Sequence, residues 1–564
     1  MKRHMNSGLI SGRDALYRFL PMNDRVGDLG KDKLVGMFYF INLGSENEIN
    51  KHHNVEEIMT RTPEAIGDLQ HPVWEEGPYH WGEPLFGFYR HDDEWVIRKH
   101  VMMLTLAGVD FIVFDTTNNS MHKETALAVM KVLETFQHEG VQVPKVVFYT
   151  NTRSGERVQQ IYVAVYKEGK YKDIWFYWED KPLIIGRPEE CSKETVDFFT
   201  FRNSQWPTEP PKLTGGFPWI DFNRPQLMYK NKAGENEIMS VSIAQHPQIK
   251  FGDSAFYGEV ANRGRSYHGF ANDALKGAID YGYNIAEQWE YAISCDPKII
   301  FVTGWNEWTA GMLKRPKCKE RPITFIDSCS PEFSRDIEPR KGGHFDNYYM
   351  QLIDYIRRFK GVEKTPVASG EKTIDIFGDF TQWNAIEPTY YGFPFANHAR
   401  NHAGFGDEVF IDDSGRNNFE VMKVSHDQAY VYFYAKCYEP ITAYDFTPWM
   451  RLFISVIQPL DSCRPHWEGY HFLANSEFLN GDSTFICQCK GGWRWETLGY
   501  SLLQTKENEL QLSIPKKMLG LENEAHFELQ FKWVDHMSES ENIEDFYLNG
   551  VTAPYGRLNY VFKV

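Results

Sequence analysis

No run of 18 or more apolar residues occurs anywhere in the 564, so no segment is expected to span a bilayer. The opening stretch MKRHMNSGLISGRDALYRFL is basic but has no continuous apolar core behind it, and it reads as mature sequence rather than a secretion signal. Cysteine is sparse. Of Cys191, Cys295, Cys318, Cys329, Cys437, Cys463, Cys487 and Cys489, only the last two lie close, sharing one face if they sit on a strand. Thiols acting as small hydrophobes are expected, and with the missing signal they favour the cytoplasm; a secreted chain trimmed of its signal would look the same. Metal patterns are missing too: there is no HExxH, and His52, His53 and His71 read as hydrogen-bonded side chains. INLGSENE, after the first predicted strand, is not GxGxxG, so a nucleotide cofactor loses its main support. No metal and no cofactor are expected. Positive charge is short as well, 60 Lys and Arg against 77 Asp and Glu, for a net of -17. That balance repels nucleic acid and anionic membrane surfaces.

Aromatics are abundant: 30 Tyr, 40 Phe and 16 Trp. Most must fill cores, but they also suit ligands with apolar faces and hydroxyl edges, and sugars fit that description. From Leu34 to about Arg358, short apolar runs alternate with helical patterns. The predicted strands span 34–43, 109–115, 144–151, 173–186 with DIWFYW and KPLIIG taken as one, 198–202, 217–222, 238–245 and 299–305. Helices are expected over 93–107, 120–139, 155–167, 272–293 and 345–360. Eight such units close most economically into a (β/α)8 TIM barrel, an α/β fold whose rival is an open doubly wound sheet. Residues 361–373, polar and rich in turn formers, read as a linker. From 374 to 564, short alternating strands predict an all-β antiparallel β-sandwich. The expected partition is thus a barrel over 1–360, a linker, and a sandwich over 374–564.

IIFVTGWNEWTAG (299–311) carries most of the chemistry. A buried strand delivers Trp305, Asn306, Glu307 and Trp308 at its carboxyl end, where barrels carry functional side chains. Indoles can hold a pyranose face, Asn306 can bond a hydroxyl, and desolvation can tune Glu307 as acid or base. The alternative is that both tryptophans are core. Hydrolysis of a glycoside needs a second carboxyl about 5 to 9.5 Å away. Asp115, at the end of FIVFD, is the first candidate, although it could equally cap the following helix. Glu259, in the long loop after Gln245, is the second candidate. Asn42, Asn151, Trp178, Arg202, Trp219, Asp221, Gln245 and His246 are expected at the same mouth as substrate contacts. In the loop, Arg263, Arg265 and Tyr267 could grip an anionic group on the substrate, unless they are solvated loop charges.

Four segments, EPLFGFYRHDDEWVIRKHVMMLTLAGVDFIVFDTTN, KPLIIG, GWNEWTAG and SRDIEP (334–339), resemble the barrel proteins of glycoside hydrolase families 99 and 71, over about two thirds of the chain. The resemblance implies a barrel hydrolase acting on an oligo- or polysaccharide. In the endo-α-mannosidase family the matching segment carries two catalytic glutamates three residues apart. Glu307 matches the first, but Ala310 stands at the second, so that family's acid is absent. Either Asp115 or Glu259 replaces it, or the barrel binds glycan without cleaving it. IDIFGDFTQWNAI and AYVYFYAKC are similar to carbohydrate-binding sandwiches of the family 9 or DOMON type, with Trp383, Trp449 and Trp467 as candidate platforms or core. An enzyme of glycan assembly is disfavoured because no diphosphate cradle is visible.

Overall fold

A computed structural model describes residues 3–30, 32–47, 51–247, 256–257, 262–326, 328–458, 464–479, 482–538 and 541–564. Eight parallel strands share one sheet: β1 (Leu34–Tyr39), β2 (Phe111–Thr116), β3 (Lys145–Thr150), β4 (Lys181–Gly186), β5 (Thr200–Gln205), β6 (Gly216–Pro218), β7 (Asn236–Ser242) and β8 (Ile299–Thr303). Their order is β6-β5-β4-β3-β2-β1-β8-β7. The seam between β6 and β7 is bridged by a short strand, Tyr229–Lys230, which runs antiparallel to β7. On its other side Gly215 N donates to Lys230 O and Lys230 N to Leu213 O, both at 2.8 Å. The result is a nearly closed barrel.

Two-residue alternation divides these strands. Phe38, Phe111, Val113, Val147, Tyr149, Leu183 and Phe301 fill the barrel. Met37, Ile112, Phe114, Val146, Ile184, Ile300 and Val302 face outward and join the packing beneath the helices. Gly36 makes room inside: a Cβ there would lie 2.5 Å from the Phe111 ring and 3.0 Å from Phe301.

The helices that return the chain are Glu94–Ala107, Lys123–His138, Ser154–Ile161, Lys193–Phe198, Tyr283–Cys295 and Asn347–Lys360. Asp93 caps the first, its carboxylate accepting from the amides of Trp95 (3.1 Å) and Val96 (3.5 Å), and Gly108 ends it at φ 82. The eightfold β/α alternation is not complete. Residues 206–215 hold turns and one isolated bridge at Thr214, and 219–235 only the bridging strand, so β5, β6 and β7 follow one another without helices. The helix expected from 272 begins instead at Tyr283. Gly277 (φ 83) and Gly282 (φ 64) interrupt a helical path, and Tyr267–His268 pairs with Ala271–Asn272 as a hairpin.

A second sheet is wholly antiparallel and has twelve strands. It is one continuous curled sheet, turned at Trp495–Lys506, which pairs with Ser483–Cys489 on one side and Glu509–Pro515 on the other. Its two ends meet: the Tyr390 hydroxyl donates to Val561 O at 2.8 Å, and the rings of Tyr390 and Phe433 both pack on Phe531. Ile10–Ser11 adds an edge strand beside Asn559–Lys563, so the first residues pair with the last. Buried ion pairs tie this sheet and its loops to the barrel. Arg400 Nε donates to Asp93 Oδ2, and Arg557 Nε to Asp346 Oδ2, each at 2.8 Å.

Among the described residues no helix is long and apolar enough to cross a membrane. The described cysteines are free thiols, with Cys329, Cys437, Cys487 and Cys489 buried.

Gly36→Ala tests the barrel packing. The added methyl must displace the Phe111 ring, and overpacking of this kind costs about 1–3 kcal/mol. A lowered thermal midpoint is expected, and an unchanged one would show that the barrel interior has slack at this layer.

Candidate active site

Glu307 is presented by fixing everything around it. Beyond β8, Trp305 N donates to Phe38 O (2.9 Å) and Gly304 N to Arg335 O (3.0 Å), so the chain runs between β1 and the segment 335–338. The Asn306 side chain imitates a neighbouring backbone: Oδ1 accepts from Phe40 N at 2.8 Å and Nδ2 donates to Phe40 O at 3.0 Å. Trp305 is fully buried against His100 and Tyr349. Trp308 is stacked on Trp81, centroids 4.7 Å apart. Its Nε1 donates to Glu338 Oε2 at 2.6 Å. With both neighbours pinned, only the Glu307 side chain reaches solvent, with 11% of it exposed.

The Glu307 carboxylate is gripped from below by Arg335, whose side chain is wholly buried. Arg335 Nε donates to Oε2 at 2.9 Å, and Nη2 donates to Oε1 at 2.8 Å and to Oε2 at 2.6 Å. The same guanidinium lies 5.2 Å from the centre of the Trp219 ring. Behind it, Asp336 Oδ1 accepts from Glu307 N and Oδ2 from Trp81 Nε1, while Arg265 Nη2 donates to Asp336 O at 2.8 Å. Burial pushes Asp336 up to about 7, with nearby Glu338 adding to the shift and Arg265 opposing it.

Glu307 opens onto a cleft of about 250 Å³ that Asp115 also lines. Phe38, Phe40, Trp206 and Trp219 form its aromatic side; Asn42, Thr117, Asn118 and Thr309 are polar. Asp115 Oδ1 accepts from Thr117 N (3.0 Å) and Thr117 Oγ1 (2.7 Å), which fixes its carboxyl at the end of β2. Within the described contacts it holds its own turn, while the helix that was its alternative role starts at Lys123 after His122.

Several expected contacts fall elsewhere. Trp305, Asn306 and Trp308 cannot meet a substrate here, because their rings and amide are buried and occupied. Trp178 and Arg202 lie toward the opposite rim. DIWFYW and KPLIIG are two strands of a hairpin, which sets Trp178 beside Lys181 at the start of β4. There Trp178 Nε1 donates to Glu237 Oε1 (2.9 Å), and Arg202 is paired with Glu237 (2.6 Å) and Glu179 (2.7 Å). Asp221 braces a turn, accepting from Asn223 N (2.8 Å) and Leu227 N (2.7 Å), and burial raises its carboxyl. Asn151 is bonded by Arg187 and Ser204 and is not part of the cleft wall.

Gln245 and His246 are fully buried. Gln245 donates to Asp221 O at 2.7 Å and accepts from Arg263 at 3.0 Å. Arg263 also donates to Phe222 O (3.1 Å) and lies over Tyr267, while Arg265 is spent on Ser334 and Asp336. The expected anion grip is therefore internal wiring. Glu259 lies outside the described residues. Trp383, Trp449 and Trp467, in the turns and loops beside the second sheet, are buried, each donating its Nε1–H inside the fold.

What the sequence reading missed is the segment SRDIEP as a functional element. Ser334, Arg335, Asp336 and Glu338 are all at most 1% exposed, although three are charged. The signal was present in a row of charges that stands beside WNEW only once the chain is folded. Trp206 was missed as well.

No protein-family model matches the chain. No curated protein matches it either. Solved structures similar over part of its length include two of one enzyme. One is the GH99 endo-alpha-mannosidase from Bacteroides thetaiotaomicron, at 15% identity and TM-score 0.36, covering 58% of this chain and 98% of that one. The other is the same enzyme in complex with BIS-TRIS-Propane, at 16% identity and TM-score 0.32, covering 58% and 97%. Similarity at this level transfers neither a substrate nor a catalytic residue.

Two outcomes follow from the buried charges. Arg335→Met removes the guanidinium that holds both Glu307 oxygens and should cost roughly 3–5 kcal/mol; adding Glu307→Gln should recover part of that loss. Denaturation of the two variants checks it, and equal stabilities would deny the pairing. For Asp336 the folded-state value lies above the unfolded one. Its stabilising contribution is therefore complete below about pH 4 and is lost as pH rises through about 7. Asp336→Asn should flatten that decline in melting profiles taken from pH 4 to 8.

Proposed function

We propose that the chain is a glycoside hydrolase acting on an oligo- or polysaccharide at the barrel mouth, with Glu307 and Asp115 as its carboxyl pair. The observation that carries this reading is that the two carboxyls line one solvent-open cleft beside Trp206 and Trp219. Hydrolysis of a glycosidic bond asks for two such groups flanking the bond, and aromatic surface to hold the ring. In this proposal residues 1–360 form a TIM-like barrel and 374–564 a sandwich that buttresses it, joined through 361–373.

A second reading, a glycan-binding protein that does not cleave, is favoured by position 310. Ala310 is 2% exposed and pairs with Tyr79, so the place of the mannosidase family's second glutamate holds a packed methyl group.

Glu307→Gln and Asp115→Asn separate the two readings. On a panel of aryl glycosides and oligosaccharides, each should lower kcat/KM on the order of 10³-fold or more while the melting profile stays cooperative. Wild-type protein that binds members of the panel and turns none over supports the second reading. Undiminished turnover in Glu307→Gln removes the assignment.

A further inference from the structure

We propose that Trp206 is the sugar-stacking platform of this cleft, and that the cleft takes uncharged pyranosides; this rests on the glycan reading above. A pyranose offers an apolar C–H face and a rim of hydroxyls, so it needs an aromatic face opposite polar groups. The WNEW indoles are not that face, since both are packed and fully buried. Trp206 is on the cleft wall and half-buried, which leaves part of its surface open to a ligand.

The ring is held where a platform must be. Trp206 is the first residue after β5, and Pro207 fixes the backbone behind it. Its carbonyl accepts from Gln205 Nε2 at 2.7 Å and from Glu209 N at 3.1 Å. Gln205 N in turn donates to the Tyr149 hydroxyl at 2.9 Å inside the barrel. The indole rests on Trp219, centroids 5.2 Å apart and planes inclined by 43°. Trp219 is itself set between Phe38 at 5.9 Å and the Arg335 guanidinium. A platform ordered before binding loses little entropy when the ligand arrives.

Charge narrows the ligand. Among the described residues of the cleft wall the charged side chains are Asp115 and Glu307, both acidic, and the guanidinium beneath them is engaged with Glu307. Carboxylated or sulfated sugars meet two carboxyls in a partly desolvated slot, which disfavours them. Neutral rings meet the amides of Asn42 and Asn118 and the hydroxyls of Thr117 and Thr309.

The test is saturation-transfer NMR with methyl glucoside, galactoside, mannoside and xyloside, their linear trisaccharides, and methyl glucuronide. Wild-type and Glu307→Gln proteins should both saturate C–H protons of at least one neutral ligand and leave the glucuronide untouched. Trp206→Ala should weaken that binding about tenfold or more, and Trp206→Phe should retain part of it. Melting profiles of both variants show that the fold persists. Binding by Trp206→Ala equal to wild type, preference for the glucuronide, or no binding of any neutral ligand by wild type overturns the proposal. If binding depends on Trp206 while no ligand is hydrolysed, the hydrolase reading fails and the platform stands.

Discussion

The site depends on one ion pair at the foot of the cleft. Arg335 is wholly buried and cannot shed its proton, so the fold must supply an anion for it, and among the described residues Glu307 supplies one. Its backbone carbonyl anchors Gly304, its fork orients the glutamate, and its guanidinium faces Trp219 from below. A carboxyl, an aromatic wall and the exit of β8 are thereby set by one side chain. This also means that Glu307 serves stability and any chemistry at once. Loss of activity on its replacement speaks for chemistry only if the arginine keeps an acceptor, and a glutamine carbonyl supplies one.

Support for the mouth reaches beyond the barrel to a separate hairpin, Arg400–Ala403 paired with Val409–Asp412. Arg90, 9% exposed, donates to Gly404 O (2.8 Å) and to Asn47 O (3.2 Å), and it lies over the Phe405 ring. Asn47 Nδ2 donates to Asn42 O at 2.8 Å, and Asn42 stands on the cleft wall. A hairpin outside the barrel therefore braces a loop inside the site through buried, directional bonds. Disturbance of the Gly404–Phe405 turn should be felt at Asn42 before it is felt in the barrel core, where β1 is locked between β2 and β8.

The eight strands could be read from apolar runs because a strand buried on both faces has a continuous signature. That Glu307 and Asp115 stand at one cleft could be read because a charge at the end of such a run has few places to go. The failures share a cause. Sequence treats aromatics beside a carboxyl as ligand surface and charges in loops as solvated, and here both are reversed. Trp305 and Trp308 are core because Asn306 and Trp81 pin the segment from either side. Arg335, Asp336 and Glu338 are buried because each meets a partner more than 20 residues away, which no local pattern reveals. Trp178 was misplaced by one hairpin, which reversed the chain and set it at the start of β4, and Arg202 because β5 runs on to Gln205, which leaves Arg202 short of the strand end beside Glu179 and Glu237.

The two cleft carboxyls are not equivalent, and their hydrogen bonds divide the work of the proposed reaction. Both oxygens of Glu307 accept from a guanidinium, a group that only donates. A proton on Glu307 would have to displace one of those bonds, so this carboxyl suits the partner that accepts a proton or attacks carbon. Asp115 Oδ1 accepts from a backbone amide and a threonine hydroxyl, neutral donors within its own turn. The threonine hydroxyl can rotate and accept as well as donate, so that turn accommodates a protonated carboxyl with far less disruption. In the hydrolysis proposed above, proton donation to the leaving oxygen would therefore fall to Asp115, with the leaving group toward Thr117 and Asn118.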